Sequence, residues 1–141
     1  FGFTTAEMRL SQKKLKKLLR MAVKMAWLCE HRAQHISFLL RKNRIISVGV
    51  NKRRTDTFAY KHGYKYPSTH SELQAIKTVR YKPQQAHGAI LVNIRVLRDS
   101  SKNGVVYSLA RPCPACLALA RSCGVSKIYF TTEKGDFAIT T

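Results

Sequence analysis

Two short motifs in this sequence carry side chains that are typical metal ligands. The first is His70-Ser71-Glu72, and the second is Pro112-Cys113-Pro114-Ala115-Cys116. Zn²⁺ prefers a tetrahedral set of nitrogen and sulfur donors, and a zinc site that performs chemistry keeps one of its four positions for water. His70, Cys113 and Cys116 supply three donors, which leaves the fourth position open. Together the two motifs predict a Zn²⁺ site with room for a bound water.

Glu72 lies two residues after one of the predicted ligands, near the metal without binding it. Zinc lowers the pKa of its bound water, so a hydroxide nucleophile exists near neutral pH. Hydrolysis by that water also needs a group that removes one proton and returns it to the departing atoms. We predict that Glu72 is this proton shuttle.

A structural zinc site and an unmetallated thiol pair are the alternatives. A closed structural site would need a fourth protein ligand, and Cys29 and Cys123 are the remaining cysteines. Each lies in an apolar, helix-like stretch, which favours buried free thiols in a reducing compartment. Because each motif is followed by helix-like sequence, we favour the open catalytic site.

The composition indicates one folded domain with a strongly basic surface. Of 141 residues, 45% are hydrophobic, so we predict a single domain over residues 1–141. The chain has 26 Lys and Arg against 7 Asp and Glu, a net charge of +19. A free nucleotide needs only a few cations, so the excess favours nucleic acid as partner. A basic surface that serves solubility alone is the alternative.

The sequence shows neither a signal-peptide pattern nor an apolar run near twenty residues. We therefore expect no membrane partner and a cytoplasmic, nucleoid or nuclear location.

Hydrophobic periodicity predicts a mixture of helices and strands. Residues 13–29 have the spacing of an amphipathic helix with a lysine-rich outer face. That face is predicted to be solvated while the helix covers a sheet, with nucleic-acid or membrane-surface binding as alternatives. Two further helices are predicted over residues 69–80 and 112–121, both opening at a metal-binding motif. Strands are predicted over residues 34–40, 45–51, 89–97, 105–109, 127–131 and 136–141, the first two pairs as hairpins.

Residues 52–68 form a predicted loop in which basic and aromatic side chains alternate and only Asp56 is acidic. Cations follow a phosphate backbone, and aromatic rings stack on bases. Because the loop leads into His70, we predict that it binds single-stranded DNA or RNA. The alternative is that the tyrosines pack inward and the cations are solvated. The predicted contacts are Lys52, Arg53, Arg54, Phe58, Tyr60, Lys61, Tyr64, Lys65 and Tyr66.

From about Ser11 to Thr131 the chain resembles the cytidine deaminase superfamily. The resemblance rests on residues 48–51 (Val-Gly-Val-Asn), on the two motifs, and on residues 124–130. It implies an α/β fold, a three-layer α/β/α sandwich with a central mixed sheet. It also implies hydrolytic conversion of an amino-base to an oxo-base with release of ammonia.

The resemblance further implies roles for individual residues around the substrate. Asn51 would contact the sugar or base, the Ser71 backbone amide would hold the base carbonyl, and the Cys113 amide would support the zinc-bound hydroxide. We also place Arg111 and Pro112 at the substrate.

Some residues depart from the superfamily's usual pattern. Ser71 stands where Ala is usual, and Arg111 stands where deoxycytidylate-type deaminases commonly have Glu. The hairpin before Pro112 lengthens the gap between the two motifs relative to adenosine deaminases that act on transfer RNA. In the hairpin and in Arg111, the chain resembles deaminases of viral and phage type.

We therefore expect a zinc-dependent deaminase that converts cytosine to uracil in single-stranded nucleic acid, because the base must leave any stack to reach a buried zinc. The alternatives are a deaminase of free deoxycytidylate or cytidine, and an adenosine deaminase acting on transfer RNA. A zinc-bearing binding module without turnover is a further alternative, against which Glu72 argues.

Overall fold

The computed structural model describes residues 10–27, 33–55, 68–69, 71–79, 87–99 and 104–140. Over these residues the chain forms a six-stranded sheet, a two-stranded ribbon and three helices. The helices are α1 (Gln12–Trp27), α2 (Ser71–Val79) and α3 (Pro114–Ser122). The strands are β1 (Ala33–Arg41), β2 (Arg44–Val50), β3 (Lys52–Thr55), β4 (Ser68–Thr69), β5 (Ile90–Asp99), β6 (Gly104–Ser108), β7 (Lys127–Thr131) and β8 (Phe137–Thr140).

The main sheet has the strand order β2-β1-β5-β7-β8, and β6 also pairs with β5. β5 and β7 are parallel, whereas the other pairs in this sheet are antiparallel. β7 and β6 share one edge of β5, since β7 pairs with it as far as Asn93 and β6 pairs from Arg95 onward. The predicted mixed sheet is therefore confirmed.

Two hydrophobic clusters lie on opposite faces of this sheet, because successive side chains of a strand point to opposite sides. On one face, α1 packs against Ile36, Phe38 and Leu40 of β1. On the other face, α2 and α3 pack against Leu39 of β1 and Leu91 of β5. The layers are thus α1, the sheet, and the pair α2 and α3, which confirms the predicted three-layer sandwich.

Helix α1 is amphipathic, as its sequence predicts. Ser11 caps its start by accepting a hydrogen bond from the Lys14 N–H at 3.1 Å. Leu15, Leu18 and Ala22 face the sheet and are buried. The exposed residues of its outer face include Lys13, Lys16, Lys17, Arg20 and Lys24. None of the helices in the described part of the chain has the length and apolar character needed to cross a membrane.

The β1–β2 connection is shorter than the predicted residues 41–44. Arg41 pairs with Arg44, so the turn consists of Lys42 and Asn43 alone, with φ values of 51° and 67°. Two residues with positive φ form the mirror-image turn whose twist matches that of the flanking strands.

The chain after β2 differs from the predicted loop over residues 52–68. Lys52 pairs with Thr69, and Thr55 pairs with Ser68, so β3 and β4 form a ribbon. Helix α2 consequently begins at Ser71 rather than at the predicted Thr69. Residues 56–67 lie outside the described part of the chain.

A glycine follows helix α3 and terminates it. Gly124 has a φ of 85°, a backbone conformation that favours glycine. Its N–H donates to the Arg121 carbonyl at 3.1 Å, and the Val125 N–H donates to the Ala120 carbonyl at 3.0 Å. These two bonds form a Schellman motif, which satisfies carbonyls at the helix end.

Helix α2 lies unusually close to β2, and Gly49 is the reason. A Cβ atom at Gly49 would be 2.1 Å from the Ser71 carbonyl oxygen and 2.6 Å from the Ala75 nitrogen. The Ser47 hydroxyl donates to the Ala75 carbonyl at 2.8 Å, and the Val50 N–H donates to the Gln74 side chain at 3.1 Å. The missing side chain therefore sets the position of α2 on the sheet.

We predict that Gly49→Ala displaces α2 and costs about 3 kcal/mol of unfolding free energy, the upper end of the usual cost of overpacking. Chemical denaturation of the two proteins measures this loss. Val48→Ala, at an exposed position of the same strand, is the control and should change stability by less than about 0.5 kcal/mol. Equal stability of Gly49→Ala and the parent would contradict the close approach.

Candidate active site

The two motif cysteines lie on the first turn of α3. Cys113 is the N-cap residue, and Pro114 occupies the start of the helix. The Cys113 sulfur accepts a hydrogen bond from the Cys116 N–H at 3.4 Å. Cys113 is half-buried, whereas Cys116 is fully buried. The positive end of the helix dipole stabilises a thiolate at this place, so both side chains fit a metal site.

Thr131 fixes the start of α3 by joining the ends of β6 and β7. Its hydroxyl accepts from the Arg95 N–H at 3.1 Å and donates to the Ser108 carbonyl at 2.8 Å. Its carbonyl accepts from the Ala110 N–H at 2.9 Å. These bonds hold the chain three residues before Cys113 over the middle of β5.

The start of α2 lies over the same stretch of β5. Ser71, its first residue, is buried and lies 2.8 Å from the Ser37 hydroxyl, which in turn donates to Asn93 of β5. Asn93 is only two residues from Arg95, where the Thr131 junction lies. The two motifs therefore converge from separate helices on one part of the sheet.

Packing between the two helices supports this convergence. Ala75 and Ile76 of α2 belong to the same buried cluster as Cys116 and Leu119 of α3. His70 itself lies outside the described residues, and so does the side chain of Glu72. Among the residues that the structure describes, no three His, Cys, Asp or Glu side chains meet. The ligand set of His70, Cys113 and Cys116 thus stays a prediction.

Cys123 is unsuited to close the site as a fourth ligand. It caps the opposite end of α3 from Cys113, and a helix of this length rises roughly 13 Å at about 1.5 Å per residue. Cys123 instead packs against the buried cluster between the sheet and α3. Cys29, the other alternative, lies outside the described residues.

Two hydrogen bonds to His35 hold Asn51 directly after the end of β2. Its N–H donates to the His35 carbonyl at 3.1 Å, and its side-chain oxygen accepts from the His35 N–H at 2.9 Å. The next residue, Lys52, pairs with Thr69, which precedes His70 in the sequence. This pairing brings the Val-Gly-Val-Asn segment to the first metal-binding motif.

The remaining predicted site residues divide into two groups. Arg111 is exposed and Pro112 is buried, both directly before Cys113. Lys52, Arg53 and Arg54 lie in β3, but their side chains lie outside what the structure describes. The other predicted nucleic-acid contacts, at positions 58–66, lie outside it entirely. Their role in binding stays a prediction.

Sequence reasoning missed two buried polar residues beneath α2, Ser37 and Asn93. Each occurs in a strand that is otherwise mainly apolar, so the apolar pattern hid them. The two-residue alternation of a strand could have revealed their burial. Ser37 and Asn93 each lie two residues from a core residue, Leu39 and Leu91, and therefore on the same face of the strand. Within the described part of the chain, the side-chain nitrogens Nδ2 of Asn93 and Nε of Arg95 are buried without a hydrogen-bond partner.

Tyr107 has a raised pKa because of its burial. It packs with the α1 cluster, on the other face of the sheet from Cys116. Its shifted titration therefore belongs to the core rather than to the site.

Two helix starts converge over one sheet, and one of them carries two thiols, an arrangement suited to bind a metal in an α/β domain. The family model described as "Cytidine and deoxycytidylate deaminase zinc-binding region" matches residues 12–132. Because this match covers most of the sequence, the chain belongs to that family of zinc-dependent hydrolytic deaminases, and its cofactor is Zn²⁺. No curated protein matches the chain.

The described donors fit zinc. Cys113 and Cys116 offer two soft sulfur ligands one helical turn apart, and zinc favours such ligands together with imidazole. His70, Cys113 and Cys116 would hold the metal and leave one position for water.

We predict that Cys116→Ala strongly lowers zinc affinity, because it removes a sulfur ligand. The loss should exceed the roughly 10–100-fold that follows when a residue hydrogen-bonded to a metal ligand is removed. Zinc content by elemental analysis and competition with a chelator measure the change. Cys123→Ala removes a thiol from the other end of the same helix and should retain one zinc per chain. Zinc loss in Cys123→Ala with retention in Cys116→Ala would refute the ligand assignment.

Proposed function

We propose that this chain deaminates cytosine to uracil in single-stranded DNA or RNA. The observation that carries the proposal is the net charge of +19 together with the exposed Arg111, two residues before a predicted zinc ligand. A cation at that place is suited to bind a phosphate next to the target base.

The distribution of charge favours a long polyanion over a single phosphate. Exposed cations occur at Arg111, at the β1–β2 turn with Lys42 and Arg44, and along α1. Because α1 packs on the opposite face of the sheet from α2 and α3, its lysines cannot line the site. They are placed to attract or contact more distant parts of a strand, as the long-range field of a basic protein does.

In the proposed mechanism, bound zinc supplies a Lewis acid that activates a water. Glu72, in the first turn of α2, carries both protons of the attacking water in turn: the first goes to the ring nitrogen as the oxygen adds to the base, and the second goes to the amine, which leaves as ammonia. The Ser71 backbone N–H donates to the base carbonyl, and Asn51 orients the sugar or base. The target base must be unpaired to enter, which favours a single strand.

Deamination of free deoxycytidylate or cytidine is the second candidate function. The name of the matching family, which includes both activities, favours it. In that case the basic surface is incidental to turnover. Adenosine in transfer RNA is a third candidate, because the same zinc chemistry acts at C4 of cytosine and C6 of adenine.

We predict that Glu72→Gln reduces turnover by at least roughly 10²–10⁴-fold, the usual contribution of general acid–base catalysis. Gln has nearly the same size but cannot carry the proton, so zinc content should stay unchanged. Ammonia release and elemental analysis test both parts. Persistent activity in Glu72→Gln would show that the proton shuttle lies elsewhere.

We predict that Arg111→Gln weakens binding to single-stranded oligonucleotides and reduces the slope of log affinity against log salt by about 0.7, the value for one phosphate contact. Arg121→Gln removes the same charge at the far end of α3 and is the matched control, with no change in slope expected.

Substrate class is tested directly by turnover on oligonucleotides, deoxycytidylate and cytidine. Sequencing of exposed nucleic acid, scored for C-to-T against A-to-G changes, distinguishes cytosine from adenine. Turnover on the monomers alone would overturn the proposal.

A further inference from the structure

We propose that Ser37 and Asn93 are positioning residues of the zinc site, and that they act through the hydroxyl of Ser71. Ser71 stands between His70 and Glu72 in the sequence. Whatever fixes Ser71 on the sheet therefore fixes the chain that carries the predicted ligand and the predicted proton shuttle. The inference rests on the roles assigned to these two neighbours.

Three residues from adjacent strands form one row beneath Ser71, which we call the seat row: Gly49, Ser37 and Asn93. Ser37 of β1 is in register with Gly49 of β2 on one side and with Asn93 of β5 on the other. Gly49 lets the Ser71 backbone approach until no Cβ would fit between them. Ser37 lies within hydrogen-bond distance of the Ser71 side chain. The row therefore contacts Ser71 in two ways: Gly49 packs directly against its backbone, and Ser37 forms a hydrogen bond with its side chain.

The hydrogen bonds of the row have a defined direction. The Ser37 hydroxyl donates its one proton to Oδ1 of Asn93 at 2.8 Å. The 2.8 Å contact between the Ser37 and Ser71 hydroxyls must then be a bond that Ser71 donates. The result is a chain from Ser71 through Ser37 to Asn93.

Burial makes this chain sensitive to small displacements. Ser71, Ser37 and Asn93 are 1%, 0% and 2% exposed. A buried hydroxyl that loses its partner costs about 1–3 kcal/mol, because water cannot replace the bond. A shift of α2 along the sheet would break the bond to Ser37, so the bond opposes such a shift.

The identity of residue 71 agrees with this role. An alanine at this position would need no hydrogen-bond partner. A serine at a buried helix start requires an acceptor, and Ser37 supplies it. Ser71 and Ser37 thus form a matched pair that ties the His-Ser-Glu segment to the centre of the sheet.

Ser47 provides a matched control within the same chain. Its hydroxyl also lies under α2, is 7% exposed, and donates to the Ala75 carbonyl at 2.8 Å. This bond holds the same helix, but one turn further from His70. Loss of Ser47 should loosen α2 without acting on the metal-binding segment.

The experiment compares Ser37→Ala with Ser47→Ala in the full chain. We expect both variants to lower the stability of the metal-free protein. Only Ser37→Ala should also lower zinc affinity, by roughly 10–100-fold as for other partners that orient a ligand, and kcat more than KM. Chelator competition, denaturation and steady-state kinetics measure the three effects. Equal zinc affinity in the two variants would overturn the proposal.

A double-mutant cycle keeps the test valid if Ser37→Ala folds poorly. In a Ser71→Ala background the bond is already absent, so the further change Ser37→Ala should have little effect on zinc affinity. An undiminished effect there would show that Ser37 does not act through Ser71. The zinc measurements need no substrate. They therefore test the role of Ser37 even if the protein does not deaminate the proposed substrate.

Discussion

The site depends on one steric constraint, the direct contact of the α2 backbone with the sheet. Gly49 offers no side chain, so the Ser71 carbonyl comes closer to β2 than any Cβ atom would permit. A helix held at this distance gains many contacts, but it tolerates little movement because protein interiors are close-packed. The neighbouring hydrogen bonds that join α2 to Ser47, Val50 and Ser37 form only because this contact exists.

The position of the cysteine motif at the start of α3 follows from the pairing of two strands, β6 and β7, with the same edge of β5. β7 and β6 meet end to end along β5, and Thr131 closes the gap between them with three hydrogen bonds. The chain leaves this junction at Ala110 and reaches Cys113 with little freedom. The mixed sheet therefore places the starts of α2 and α3 above the same strand, β5. Each of these helix starts carries one of the two metal-binding motifs, as zinc-dependent deamination requires.

Much of this arrangement could be predicted from the sequence, because its signals are local. Apolar periodicity predicts the six strands of the sheet and the three helices, with ends that differ from the observed ones by at most two residues. The β1–β2 hairpin and the amphipathic face of α1 each depend on a few neighbouring residues. The residue types of the two motifs likewise indicate zinc, because the ligands are recognised from a few neighbouring residues in each motif.

What could not be predicted depends on residues distant in the sequence. Gly49 is visible as a glycine, but nothing near it shows that Ser71 will approach. Ser37 and Asn93 meet only through strand register, and each is surrounded by apolar neighbours. The sequence predicts a loop where the β3–β4 ribbon lies, since Lys52 to Thr55 lack the alternation of a half-buried strand. The face of the sheet that α1 covers could not be predicted either, because it depends on how distant strands are connected.

The β5–β6 hairpin has a consequence for how such a domain diversifies. Beyond Arg95, β5 pairs with β6 on the edge that β7 has already left. Residues can be added to or removed from the tip of this hairpin without altering the register of β5 with β7, on which the hydrophobic core depends. Because the hairpin extends past the stretch of β5 over which both helices begin, its length can change without altering the part of the sheet that carries them.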